Sequence, residues 1–162
     1  MKEDFSAREE NFMQQAIRLS QSGMQKNEGG PFGCVIVQGD KIIGQGNNQV
    51  ICTNDPTAHA EIVAIRNACK NLGTYDLVDC ELYTSCEPCP MCLAAIYWAR
   101  LKIIYYGNTS TDAANIGFDD AMIYEEMKVN SRDRKIPLHS IGREAALAIF
   151  AEWQNKMDKT RY

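Results

Sequence analysis

Two short stretches carry residue types that can do chemistry together. The first is Thr57-Ala58-His59-Ala60-Glu61, and the second is Cys86-Glu87-Pro88-Cys89-Pro90-Met91-Cys92. Cys89 and Cys92 are three apart, a spacing that puts both thiols on one face at the start of a helix. Thiolates and imidazole are the usual ligands of tetrahedral zinc, and His59 supplies the imidazole. Three protein ligands leave a fourth position for water, which is the open arrangement of a catalytic zinc. Glu61 is no ligand in this reading. It stands two residues past His59, where a carboxylate could move protons to and from that water. Residues two apart on a regular helix do not face each other, so spacing alone does not bring His59 and Glu61 into one site.

The elements that must hold these residues can be read along the chain. Ser6 and Glu9 form a capping box, and Phe12, Ala16, Leu19 and Gly23 repeat at helical spacing to about Lys26. Asn27-Glu28-Gly29-Gly30-Pro31 stops that helix. Cys34-Val35-Ile36-Val37 and Lys41-Ile42-Ile43 flank Gly39-Asp40 as a hairpin that ends at Asn47-Asn48. Turn residues at Asn54-Asp55-Pro56-Thr57 lead to a helix with Ile62, Ile65, Cys69 and Leu72 on one face and a stop at Gly73. Glu81-Leu82-Tyr83-Thr84 reads as a strand, and Pro88 or Pro90 opens a helix through Arg100. Residues 102–106 read as the next strand and Gly107 to Phe118 as a loop. A short helix near Asp120–Lys128, a strand at Pro137–Ile141 and a last helix at Arg143–Lys159 complete the chain. A hairpin followed by alternating helices and strands predicts an α/β fold, a mixed sheet with helices on both faces. His59 and the cysteine pair then fall at the starts of two successive helices, whose partial positive charge favours thiolate.

Composition narrows the partners. A length of 162 residues predicts one domain over 1–162, and no composition shift marks a boundary. The net charge of −4 gives no electrostatic case for a phosphate backbone, so no nucleic acid is expected. No apolar run approaches a membrane span of about 18 residues, and Met1-Lys2-Glu3-Asp4 does not open a signal peptide. A cytoplasmic protein is expected. Seven cysteines, an odd number with C-x-x-C among them, favour metal or free thiols over a disulfide framework.

His59-Ala60-Glu61 and Pro88-Cys89-Pro90-Met91-Cys92 match the H-x-E…P-C-x-x-C signature of zinc nucleobase deaminases. With Asn54-Asp55-Pro56-Thr57 before the first and Glu87 before the second, they resemble the cytidine deaminase superfamily. That resemblance implies a three-layer α/β/α fold on a five-stranded mixed sheet. Thr84-Ser85-Cys86-Glu87-Pro88, Ala95-Ile96-Tyr97-Trp98-Ala99-Arg100, Thr111-Asp112-Ala113-Ala114, Gly117-Phe118-Asp119-Asp120 and the final Tyr162 narrow it to the bacterial guanine deaminase family. The likeness is dense from Gly30 to Tyr124 and thinner over the last helix, and Ala94 stands where that family commonly has glycine. It implies a homodimer with swapped C-terminal segments that converts guanine to xanthine and ammonia. His59, Cys89 and Cys92 would bind Zn2+. A zinc-bound hydroxide would be the nucleophile, and Glu61 the proton shuttle. Asn48, the backbone at Ala60, and Asp120 would contact the purine. Phe118, with Trp98 and Tyr162 from the partner chain, would wall the pocket.

Plainer readings stand beside these. Cys86 could close a structural zinc knot as fourth ligand. Glu61 could be a helix-cap carboxylate, Asn48 a turn residue, Trp98 core, and Asp119 and Asp120 charges at a helix start. A tRNA adenosine deaminase would carry the same zinc motif and should show a basic face, of which Lys156, Lys159 and Arg161 offer a trace. A non-enzymatic zinc module would have no need of Glu61. Cytosine, guanosine and aminotriazines such as ammeline compete with guanine as substrate.

Overall fold

The structure, a computed structural model, describes residues 4–162; the acidic start at residues 1–3 lies outside them. The chain divides into two compact units, Met1–Asp120 and Ala121–Tyr162.

The first unit is a three-layer α/β/α sandwich. Its sheet runs β2 (Lys41–Asn47), β1 (Gly33–Gln38), β3 (Glu81–Cys86), β4 (Ile103–Asn108). β1 is antiparallel to both neighbours, and β3 and β4 are parallel. The mixed sheet expected from the chain order is present, with four strands among the described residues instead of five. The predicted strand at Pro137–Ile141 is irregular backbone in the second unit. Pro137 has no N–H to give a ladder, and the short apolar alternation around it was a weak strand signal.

Side-chain alternation builds a core on each face of the sheet. On one face Cys34, Ile36 and Leu82 pack with Ala60, Ala64 and Ala68 of α3 (Ala60–Leu72) and Ile96 of α4 (Pro90–Trp98). On the other, Val35, Val37 and Tyr83 pack with Phe12 of α1 (Ala7–Gln25). The capping box predicted for α1 is formed, with the Ser6 N–H donating to Glu9 Oε2 at 2.7 Å. Gly73 ends α3 in the left-handed conformation at φ 66°, as a helix-stop glycine should.

The approach of α3 to β2 sets the position of the residues at its start. Gly44 and Gly46 lie on one face of β2. A Cβ on Gly46 would sit 2.6 Å from the Ala60 carbonyl oxygen, and one on Gly44 would sit 2.4 Å from that of Ala64. The helix backbone therefore rests directly on the strand backbone, which only glycine permits. Asn67 and Asn71, one helical turn apart, donate side-chain N–H groups to the Gln45 and Ile43 carbonyls at 2.9 and 2.8 Å. These bonds pin the helix to the free edge of β2 and satisfy carbonyls that would otherwise invite another strand.

The short helix α5 (Ser110–Asn115) stands where a loop was expected, and α2 (Val50–Thr53) fills a stretch for which no element was predicted. The second unit holds α6 (Ala121–Lys128) and α7 (Arg143–Asn155), the latter ending before the predicted Lys159. No helix among the described residues is long and apolar enough to cross a membrane.

Gly46→Ala should force α3 off β2. Overpacking of this kind costs about 1–3 kcal/mol, so the denaturant midpoint should fall with an unchanged slope when unfolding is followed by circular dichroism.

Candidate metal centre and pocket

His59 and Cys89 are both helix N-caps. His59 caps α3 with extended backbone at ψ 157°, and Cys89 caps α4 at ψ 168° with Pro90 as first helical residue. This answers the spacing objection. His59 lies outside the helix, so the 100° step per residue does not separate it from Glu61, and the two side chains line one cavity. Cys92 is the third residue of α4, the position towards which an N-cap side chain points. The two helix starts thus bring together three ligand atoms from residues about thirty apart in sequence.

The three atoms fit a tetrahedral ion. His59 Nδ1 lies 3.5 Å from the Cys89 Sγ and 3.5 Å from the Cys92 Sγ, and all three fall within 4.8 Å of one another. Zinc with bonds of about 2.3 Å to sulfur and 2.0–2.1 Å to nitrogen holds S and N about 3.6 Å apart at tetrahedral angles. Cys86 is not part of the cluster. Its thiol faces the Thr109 carbonyl at 3.6 Å, and burial pushes it up to about 11. The closed four-ligand knot is therefore not built. His139, the only other histidine, is exposed in the second unit.

Electrostatics within the cluster favour a thiolate. The Cys89 thiol is pulled down to about 4, first by its hydrogen bond with Cys92 and then by the His59 imidazole. Cys92 keeps its proton, raised by that same bond to Cys89 and by burial. His59 is raised by the Cys89 thiolate. A divalent cation would replace these shared protons and bind both sulfurs as thiolates.

Glu61, in the first turn of α3, is 6% exposed. Burial raises its carboxyl, against hydrogen bonds from its own backbone N–H, Cys92 and Thr84 that favour the charged form. Its Oε1 accepts from the Thr84 hydroxyl at 3.0 Å. A carboxyl displaced upward from the usual range is better matched to proton transfer near neutrality.

A cavity of about 600 Å3 opens beside the cluster, within the usual range for small-molecule sites. Asn48, Phe118 and Asp120 line it with His59, Glu61 and Cys89. Asn48 is buried, and its Oδ1 accepts from the Gly30 and Val50 N–H groups at 3.3 and 3.2 Å. With the oxygen engaged twice, the amide nitrogen is the end left to donate to a ligand. Phe118 stands edge-on to Phe32, with ring centroids 4.9 Å apart. Burial, followed by the charge of Cys89, raises the Asp120 carboxyl.

Ala60 has its side chain in the core, and its N–H is among the first-turn donors of α3 that have no intrahelical acceptor. Trp98 is 71% exposed at the end of α4 and does not line its own chain's cavity. Tyr162 is exposed in the second unit.

Sequence reasoning missed several lining residues. Gly29 and Gly30 belong to a segment read only as a helix stop, and Phe32 just after it was given no role, yet all three form part of the wall. A Cβ on Gly29 would strike Asn48 Oδ1 at 2.1 Å, so that glycine is what lets the amide sit where it does. Cys86, Glu87 and Ser110 were missed as lining residues too.

A three-layer α/β/α sheet with His-x-Glu at one helix start and Cys-x-x-Cys at the next defines a zinc-type nucleobase deaminase domain. The chain belongs to the cytidine and deoxycytidylate deaminase family, whose zinc-binding region matches residues 6–108. It is 51% identical to the guanine deaminase of Bacillus subtilis over 153 residues, 94% of this chain and 98% of that one. The crystal structure of the Bacillus subtilis enzyme superposes with a TM-score of 0.92 over the same shares. The tRNA-specific adenosine deaminase of Haemophilus influenzae is 38% identical over 129 residues, covering 76% of this chain and 74% of its own. The structure of a guanine deaminase from Nitrosomonas europaea has 30% identity and a TM-score of 0.66, covering 95% of this chain and 88% of that one.

Purified protein should hold about one zinc per chain, as one three-ligand site implies. Cys89→Ser should lose most of it by elemental analysis; full zinc in that variant would contradict the assignment.

Proposed function

We propose that this chain is a zinc-dependent guanine deaminase, which hydrolyses guanine to xanthine and ammonia. The observation that carries the reading is the 51% identity to the Bacillus subtilis guanine deaminase across 98% of that enzyme. The cavity supports it. A flat base needs apolar walls and a few polar groups, and here Phe118 and Phe32 stand near Asn48 and Asp120. Guanine carries donors at N1 and its exocyclic amine, which the Asp120 carboxylate would accept. It also carries acceptors, which the Asn48 amide nitrogen and the Ala60 N–H would serve.

His59 Nδ1 and the sulfurs of Cys89 and Cys92 would hold the zinc. Bound there, the metal supplies an acidified water whose pKa falls towards about 7. Glu61 would take the first proton from that water and pass it to the ring nitrogen beside the reacting carbon, then take the second from the newly attached hydroxyl and give it to the amine as the C–N bond breaks. Its burial keeps bulk water from competing for those protons. Seven free thiols, with no disulfide among the described residues, fit a cytoplasmic setting.

The reading extends to a homodimer with swapped C-terminal segments. α7 leaves Ile149, Phe150 and Trp153 exposed, an apolar surface that a second copy would cover. Trp98 and Tyr162 would then wall the partner's cavity, Tyr162 as a lid that excludes water during the reaction and lifts to release product.

The second reading, a tRNA adenosine deaminase, draws on the 38% identity to the Haemophilus influenzae enzyme. The net charge of −4 disfavours a polyanion.

Five measurements check these points. Among free bases, nucleosides and tRNA, ammonia release should be strongest with guanine, and xanthine should be the product; deamination of tRNA or cytosine with guanine untouched would overturn the substrate. Asp120→Ala should weaken guanine turnover by about 1–3 kcal/mol of lost transition-state stabilisation, through unpaired donors. Glu61→Gln should keep its zinc while turnover falls about 10²–10⁴-fold. A chain lacking Arg161 and Tyr162 should fold and bind zinc but turn over poorly. Exchanging it with Glu61→Gln subunits should restore activity, because one mixed site then has both Glu61 and a tail. Full activity in a stable monomer would contradict the shared site.

A further inference from the structure

Thr84 is an anomaly in its strand. It lies on the face of β3 that carries Leu82 into the core shared with α3 and α4, and it is 1% exposed. An aliphatic β-branched residue would pack there equally well, and a buried hydroxyl costs free energy unless it is hydrogen-bonded. β3 is an interior strand. Thr84 stands opposite Cys34 on one side and Tyr106 on the other, so its backbone lies within ladders on both sides. Its hydroxyl has a different partner, Oε1 of Glu61 at 3.0 Å, and Glu61 is itself buried. Cys92 also hydrogen-bonds this carboxylate, and its thiol proton would be displaced when a metal takes its sulfur.

We infer that Thr84 is a positioning residue for Glu61: its hydroxyl, fixed on the rigid centre of the sheet, donates to Oε1 and aims the carboxylate at the reacting atoms in the cavity. This rests on the reading of Glu61 as the proton shuttle. The division of labour follows from the geometry. Glu61 has three side-chain torsions, and the bond to its own backbone N–H ties its carboxylate only to the helix start that carries it, not to the sheet. One bond from a strand residue with a stiff χ1 supplies that second tie. Thr84 does not line the cavity, so it acts through Glu61 and not on the base.

The test is a cycle of Thr84→Val and Glu61→Gln, with Thr84→Ser as rescue. Valine keeps the branched shape and deletes the hydroxyl; serine keeps the hydroxyl and deletes the methyl. In zinc-loaded enzyme, Thr84→Val should lower kcat about 10- to 100-fold, the scale of a lost hydrogen bond to a charged group. KM, zinc content and melting temperature should stay near wild type. Thr84→Ser should recover most of kcat. Added to Glu61→Gln, Thr84→Val should cause little further loss, because the group it aims no longer moves protons. A merely structural threonine would lower stability without this split between kcat and KM, and would do so equally in both backgrounds. Unchanged kcat in Thr84→Val, or an equal loss in both backgrounds, would overturn the positioning role alone. Near-normal turnover in Glu61→Gln by itself would overturn the shuttle reading, and this inference with it.

Discussion

The first unit is arranged around one constraint: one nitrogen and two sulfurs must meet within a few ångströms although they come from the starts of two separate helices. His59 Nδ1 and the Cys89 and Cys92 sulfurs meet that requirement because two helices start at the same end of the sheet, by the last residues of β2 and β3. Each helix presents its N-cap inward, and both caps are extended residues just outside the helical spiral. The partial positive charge of the helix starts and the mutual hydrogen bonding of the cysteines both favour negative sulfur, which is what a divalent cation needs. Placing such a cluster at the carboxyl ends of strands follows the general habit of open α/β sheets, where helices leave a crevice at the strand tips.

The sheet supplies the precision. Glycines at 44 and 46 let α3 touch β2 backbone to backbone, and Asn67 and Asn71 fasten it there. A shift of α3 by the thickness of a methyl group would move His59 and Glu61 together relative to Cys89. On the far side, β3 delivers both Thr84, beneath Glu61, and the turn that leads into Cys89. The pairings of β1 with β2 and β3 hold these two deliveries in register.

Much of this was legible in the sequence because the signals are local. The Ser6/Glu9 box, the Gly39-Asp40 turn, the Gly73 stop and Pro90 at a helix start each carry their own physical reason, and each stands where expected. The cluster that could hold a metal was legible because thiol and imidazole at such spacings have few other uses. What failed was short or non-local. α5 has six residues, too few to show a period, although Thr109 and Asp112 form a capping box that could have announced it. The strand expected at Pro137–Ile141 rested on three apolar residues around a proline. The wall formed by Gly29, Gly30 and Phe32 depends on a chain reversal that brings it to Asn48, and no periodicity encodes that. Thr84 looked like an ordinary strand residue until Glu61 appeared beside it.

All of this turns on an open metal position held by one nitrogen and two sulfurs. X-ray absorption at the zinc edge of the loaded protein measures it directly. An open site should give two sulfur scatterers at about 2.3 Å, one imidazole nitrogen at about 2.0–2.1 Å and one further light atom from solvent. Three or four sulfur scatterers, which would bring Cys86 or another thiol into a closed shell, would contradict it.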